Sequence, residues 1–210
     1  MSELWSERAA LYRESPAHRE GPDLDLLVAW AEGGSALDVA TGGGHVARRL
    51  RGAGLEVVSC DPAPGMQPDV ICRAEHLPFA DEGFDLVTCR IAPHHFADIR
   101  AAMAEMARVS RSLVLVVDNL HGGEHVEEAE RLRDPTHVRC YSEAEWRALF
   151  AEAGLSVEDV RLFEARIELE PWLERAGCAG QDAKRVLELL QDRIDGGYVT
   201  GTRIALKGRK

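Results

Sequence analysis

The sequence predicts an α/β sandwich, a seven-stranded and mostly parallel sheet covered by helices on both faces. Three observations carry that prediction. Short runs that are apolar throughout, as strands buried on both faces must be, alternate with stretches of helical periodicity. The stretch "ALDVATGGGHVARRL" (36–50) joins a strand to a helix through three glycines, and "LEVVSC" follows as a second strand ending at Asp61, which makes one β-α-β unit. Near the C-terminus the period changes to two, so the sheet closes with extended stretches of a different kind.

In chain order, "PDLDLLVAWAEGG" repeats apolar residues at three and four (Leu24, Leu27, Val28, Ala31) and reads as a helix opened by Pro22 and closed by Gly33 or Gly34. A strand at 36–40, a helix to about Leu50 and the strand up to Asp61 come next. Between Asp61 and the short extended "DVICR" lies only "PAPGMQP", whose prolines and glycine reduce the usual crossover helix to a turn. "FDLVTC" is a buried strand, "ADIRAAMAEMARVS" a helix with Ile99, Met103, Met106 and Val109 on one face, and "SLVLVVD" the most apolar strand. Ser142 and Glu145 have capping-box spacing and start a helix that stops near Gly154. "FEARIELE" then alternates Phe163, Ala165, Ile167 and Leu169 with charged residues, and "YVTGTRIAL" ends the chain as a last strand. Pro171 and "QDAKRVLELLQDRI" place a helical insertion, 171–195, between these two strands. With 1–34 as an N-terminal helical cover, the 210 residues are expected to form one domain.

Composition excludes several functions. No apolar run approaches the roughly 18 residues of a membrane span, and the charged N-terminus lacks a signal-peptide core, so a cytoplasmic protein is expected. Five cysteines without a CxxC pair oppose a disulfide framework. The net charge of −11, with basic residues gathered only in the final "KGRK", makes nucleic acid an unsuitable partner. Lysine occurs only at 184, 207 and 210, so the glycine turn lacks the lysine of a P-loop.

A strand, a glycine turn and a helix N-terminus aim backbone donors at an anion. Gly42, Gly44 and Ala47 satisfy the dinucleotide pattern, with Asp61 at the distance of a ribose-binding acid, so an NAD(P)-dependent oxidoreductase is a rival reading. Asp38, just before the turn, would repel a pyrophosphate and suits a ligand that carries an ammonium group, such as S-adenosylmethionine. Alternatively, Asp38 hydrogen-bonds the amides of its own turn.

"LDVATGGGHVA", "VVSCDPAPGM" and "RAEHLPFADEGFDLVTCRIAPHHF" occur in the order found in class I S-adenosylmethionine-dependent methyltransferases, and the chain from about 12 to 169 resembles the branch that holds the ubiquinone and menaquinone C-methyltransferases. The resemblance implies a three-layer, Rossmann-like methyltransferase sandwich with an antiparallel last strand, and transfer of a methyl group from S-adenosylmethionine to a small-molecule acceptor; a cofactor-binding protein without turnover is the other alternative. It assigns Asp38 and the turn Ala40, Thr41, Gly42 and Gly44 to the methionine part of the cofactor, Asp61 to the ribose, and Pro62, Met66, Ala74 and Glu75 to the adenine. Arg90 would lie near the transferred methyl. Three departures stand out: Ala40 replaces the usual first glycine, Arg73 stands where relatives often carry an aspartate, and the missing crossover helix thins one flank of the adenine site.

Methyl transfer needs a base only when the acceptor must lose a proton. His94 and His95 in "PHHF" are the candidates, His95 preferred, with packing or helix capping as the alternative. In "RDPTHVR", which is similar to a stretch in close relatives of the branch, Asp134, His137 and Arg139 either hold the acceptor or pin their own loop. Tyr12 and His18 are expected in a lid or at the surface. His121 and His125 have i, i+4 spacing, but the glycines between them weaken the helix a metal site would require, so no metal is expected.

Overall fold

The structure is a computed structural model and describes residues 2–210. Four short helices, α1 (Ser2–Glu7), α2 (Ala9–Glu14), α3 (Pro16–Arg19) and α4 (Pro22–Trp30), precede the sheet. Then come β1 (Ser35–Val39), α5 (His45–Gly52), β2 (Glu56–Asp61), a single 3-10 turn at Pro64–Met66 and the two-residue β3 (Val70–Ile71). The central part continues with β4 (Phe84–Arg90), a 3-10 turn at Pro93–His95, α6 (Ile99–Val109) and β5 (Ser110–Asn119). The last third holds α7 (Glu124–Arg133), α8 (Glu143–Glu152), β6 (Ser156–Glu168), α9 (Leu169–Ala176), α10 (Gly180–Leu189), β7 (Ile194–Asp195) and β8 (Tyr198–Arg209).

The strand order is β3-β2-β1-β4-β5-β8-β6, with β7 hydrogen-bonded to β8. All pairings from β3 to β5 are parallel, while β8 runs antiparallel to both β5 and β6. The expected seven strands and antiparallel last strand are present, with β7 as a two-residue addition. Strand residues alternate between two cores. Leu37, Val39, Val87, Cys89, Val114 and Val116 pack with Met103, Met106, Trp146 and Phe150 of α6 and α8. Ala36, Leu86, Leu113, Leu115 and Val117 pack on the opposite face with Leu24, Leu27, Val46 and Leu50 of α4 and α5. This two-sided burial is why the strands read as continuous apolar runs.

Some boundaries differ from the sequence reading. α4 stops at Trp30, before the glycines, with Ala31 already extended (ψ 131°); Gly33 serves instead the close approach to Asp85, whose Cβ would lie 2.4 Å from a Cβ there. Leu169 is not the end of the alternation but the first residue of α9, two residues ahead of Pro171, which the first helical turn accommodates because its missing N–H would have no partner there. α7 was not expected; its apolar stripe is only Val126, Ala129 and Leu132, and it forms by packing on α10 around Trp172, Val186 and Leu190. The capping box is present in full, with Ser142 Oγ accepting from the Glu145 amide and the Glu145 carboxylate accepting from the Ser142 amide.

The sheet order reverses between β1 and β4, so the crevice at their carboxyl ends is where a fold of this kind takes its ligand. The glycine turn after β1 and the "RIAPHHF" segment after β4 both open there.

Candidate functional site

The turn after β1 is wound by left-handed residues: Ala40 at φ +52°, Gly42 at +50° and Gly44 at +72°. Ala40 therefore occupies a conformation that glycine adopts without a Cβ penalty, and the turn has kept a glycine-type path despite the substitution. Asp38 holds this path from beneath. One carboxylate oxygen accepts from Thr41 Oγ1 (2.5 Å) and the Ala47 amide (3.1 Å), and the other accepts from Thr88 Oγ1 (3.1 Å). Burial pushes its pKa up to about 6 against the pull of these hydrogen bonds. Asp61, at the end of β2, accepts from the Gly42 amide (3.0 Å) and the Ala63 amide (2.9 Å), and burial raises its pKa too.

Over the turn lies a cavity of about 550 Å³. Ala40, Thr41, Gly42 and Asp61 form one wall, and Pro62, Met66, Ala74 and Glu75 continue it. Arg90, Ile91, His95 and Phe96 line it from the β4 side, and Trp5, Tyr12 and His18 close it from the N-terminal helices. The N-terminal segment is pinned onto the site by backbone contact. The Gly65 amide donates to Ser6 Oγ (3.0 Å), Arg13 donates to the Gly65 carbonyl (2.9 Å), and His45 Nε2 lies 3.0 Å from the Tyr12 carbonyl. A Cβ on Gly65 would come within 2.6 Å of Ser6 Cα, and one on Gly43 within 3.0 Å of the Tyr12 carbonyl, so both glycines admit the overlying chain.

Arg90 is fixed by Asp23 (2.7 Å) and the His18 carbonyl (2.7 Å), while its Nη2 is buried without a hydrogen-bond partner. Asp23 also takes Arg203 (3.2 Å); burial opposes its charge, but the two guanidiniums hold its pKa below the usual value. Arg73 reaches the cavity and pairs with Glu75 (3.3 Å), which also accepts from the Ala97 amide (3.2 Å).

The two histidines after β4 have different surroundings. His94 is buried, and its Nδ1 lies 2.5 Å from Asp118. Burial pushes the imidazole down to about 3 and the Asp118 carboxyl up to about 7. His95 lies on the cavity wall with Trp5 edge-on at 4.8 Å. Its Nδ1 is 3.0 Å from the Thr136 carbonyl and 3.1 Å from Thr136 Oγ1, and burial with the neighbouring His94 pushes its pKa down to about 3.

Several expected site residues lie off the cavity. Asp38 does not line it, since all its bonds go to the turn and to Thr88; of the two readings of that acid, the geometry fits the internal one. Gly44 sits at the N-terminus of α5 behind the lining residues. His94 is spent on Asp118. Asp134 binds Thr136 and Arg8, His137 binds Glu127 (3.0 Å), and Arg139 binds Glu145 (2.5 Å), so these three pin their loop and only Thr136 between them reaches the cavity. Trp5, His45, Ile91, Phe96 and Thr136 line the cavity without having been singled out. Of these, His45 lies in "LDVATGGGHVA", Ile91 and Phe96 in "RIAPHHF" and Thr136 in "RDPTHVR", so only Trp5 falls outside the stretches that carried the sequence reading.

Among the described residues, Glu127, His137 and Cys140 bring three metal-type ligand atoms within 4.8 Å of one another, with His121 Nδ1 3.5 Å from Glu127. The carboxylate oxygens already accept from the Cys140 amide (3.2 Å) and His137, with Arg131 at 3.8 Å, so the group closes as a hydrogen-bonded clasp between α7 and the following loop. His125 lies inside α7 and His121 before it, so the pair shares no helix face.

Residues 37–117 match the family model described as "Methyltransferase domain". The chain is 32% identical over 216 residues to the "uncharacterized methyltransferase" YcgJ of Bacillus subtilis, an alignment covering 91% of this chain and 85% of that protein. The crystal structure of YcgJ superposes with a TM-score of 0.81 at 28% identity, covering 90% of this chain and 97% of the other. The Bacillus halodurans protein BH2331 gives a TM-score of 0.79 at 29% identity, covering 90% and 99%. A demethylmenaquinone methyltransferase of Beutenbergia cavernae is 39% identical over 98 residues, 42% of this chain and 40% of that protein.

Proposed function

The chain belongs to the class I S-adenosylmethionine-dependent methyltransferases, and from that premise we propose that it transfers the methyl group by in-line displacement to a small-molecule acceptor held in the cavity after β1 and β4. The observation that carries this reading is the convergence, in one cavity of about 550 Å³, of the glycine turn, Asp61 and His95.

The residues present fit the cofactor. Gly42 leaves its Cβ position open to the cavity, with only the Ala40 carbonyl within 4.0 Å. Asp61 keeps a carboxylate beside the turn for ribose hydroxyls, Met66 and Ala74 offer an apolar slot for adenine, and Arg90 places a positive charge on the cavity wall. Bound S-adenosylmethionine supplies a methyl group already activated by a sulfonium. The protein's part is then to align the acceptor, exclude water through the N-terminal helices and, where the acceptor carries a proton, accept it at His95. Asp38 acts through the turn, by holding Thr41 and the start of α5.

The enclosed volume and the aromatic wall of Trp5 and Tyr12 support a small acceptor rather than a macromolecule. No helix among the described residues is long and apolar enough to cross a membrane, and five free cysteines suit work in a reducing cytoplasm. On this reading the whole chain acts as one domain, with 1–34 as its cover and 171–195 as an insertion.

S-adenosylhomocysteine at about 100 times its dissociation constant is expected to add roughly 2.7 kcal/mol of stability, and NADH none. Stabilisation by NADH alone would overturn the cofactor assignment. An acceptor screen that detects S-adenosylhomocysteine release then tests transfer, and His95→Ala tests the base: unchanged turnover would remove it.

A further inference from the structure

Of the two readings of the loop 134–139, holding the acceptor or pinning itself, the bonds fit the second, and within it Thr136, backed by Asp134, faces His95. The His95 ring nitrogen Nδ1 faces two oxygens of Thr136, the carbonyl at 3.0 Å and Oγ1 at 3.1 Å. A carbonyl oxygen can only accept, so Nδ1 carries the proton. Thr136 is itself clamped: its amide donates to Asp134 Oδ1 (3.0 Å) and its hydroxyl donates to the same oxygen (2.7 Å). The hydroxyl proton therefore points at Asp134, and Oγ1 presents a lone pair to the imidazole. Asp134 is fully buried, and its other oxygen has no hydrogen-bond partner. Arg8, between α1 and α2, reaches Asp134 Oδ1 at 3.4 Å, so the N-terminal cover anchors the same clamp.

We propose that Asp134 and Thr136 are positioning residues that hold His95 as its Nδ1–H tautomer, leaving the Nε2 lone pair for a proton of the acceptor. This rests on the reading of His95 as the base. Nε2 has no hydrogen-bond partner among the described residues, and His95 lies on the cavity wall, so the nitrogen left unprotonated is the one that an incoming group can use. Without the clamp, the Thr136 peptide could turn its carbonyl away and the ring would lose what selects one tautomer. A neutral imidazole protonated on Nε2 would meet the acceptor with a donor and could not remove its proton.

The tautomer can be read directly from the ring-nitrogen chemical shifts of ¹⁵N-histidine-labelled protein with S-adenosylhomocysteine added, using His95→Gln to assign the signals. The unsubstituted chain should show His95 protonated on Nδ1. Asp134→Ala should give a mixture of tautomers, Thr136→Val a smaller shift in the same direction, and Thr136→Ser the unsubstituted pattern. Should Asp134→Ala fail to fold, the unsubstituted chain and Thr136→Val still decide. A proton found on Nε2 in the unsubstituted chain would sink the proposal, as would populations unmoved in both Asp134→Ala and Thr136→Val. Turnover separates the two levels: if His95→Ala is fully active but the tautomer responds to Asp134, the clamp stands and the assignment of the base fails.

Discussion

Ala40 and His95 show how much a single side chain must yield to its site. At φ +52°, Ala40 holds a left-handed conformation costing an L-residue about 1–2 kcal/mol, partly offset in any glycine replacement by the greater freedom of the unfolded chain. Ala40→Gly is therefore expected to stabilise the protein by about 0.5–1 kcal/mol without weakening S-adenosylhomocysteine binding, which thermal denaturation with and without ligand would check. Ile91, also lining the cavity, is left-handed at φ +53°, an unusual state for a β-branched residue and a sign that the chain is forced at the site. For His95 the consequence is a pH dependence. Its folded pKa, pushed down to about 3, lies below the unfolded value of about 6.5, so the unfolded chain binds the extra proton between these limits. The stability this group contributes is complete above pH 6.5 and is lost as the pH falls towards 3. Asp38 and Asp118, raised to about 6 and about 7, act in the opposite sense: their contribution is complete below pH 4 and is lost as the pH rises through those values. The whole-protein profile mixes both signs, so the difference between variants is the cleaner measure. Between pH 7 and pH 5 the unsubstituted chain should lose about 2 kcal/mol more than His95→Gln in urea unfolding.

At the scale of elements, the N-terminal helices are as much a part of the site as the strands. α1 rests on the 3-10 turn at Pro64–Met66 through Gly65, where a Cβ would meet Ser6 backbone at 2.6 Å. Backbone cannot swing aside as a flexible side chain can, so Gly65→Ala should lift α1 from the turn and move Trp5 from the cavity wall. The expected result is S-adenosylhomocysteine binding weakened about tenfold or more, with the sheet intact by far-ultraviolet circular dichroism. Unaltered affinity in a titration would show that the cover contributes nothing to binding. The turn replacing the crossover helix was legible, because prolines act locally. α7 was not, because Val126, Ala129 and Leu132 make a stripe too thin to stand out in "EHVEEAERLR" until α10 is there to pack on it.

Across the whole molecule, Asp23 ties together segments far apart in the chain: Arg90 at the end of β4 and Arg203 in β8 both bond to it, and the three side chains are almost wholly buried. Asp23→Ala would strand two buried guanidiniums and is expected to cost about 3–5 kcal/mol in denaturant unfolding. Arg90 would also lose its place in the cavity, so cofactor affinity should fall with stability. The sequence by itself determined the alternation of elements, the two-faced sheet, the glycine turn and Asp61, since periodicity and turn chemistry act between residues a few positions apart. It also marked His95 and the stretch "RDPTHVR" as places of interest. What it could not determine is which polar tips face the cavity. His95 meets Thr136 across 41 positions, Arg8 meets Asp134 across 126 and Arg203 meets Asp23 across 180. Each polar side chain has a small number of bonds to make, and only the folded chain decides whether a neighbour takes them or leaves them for a ligand.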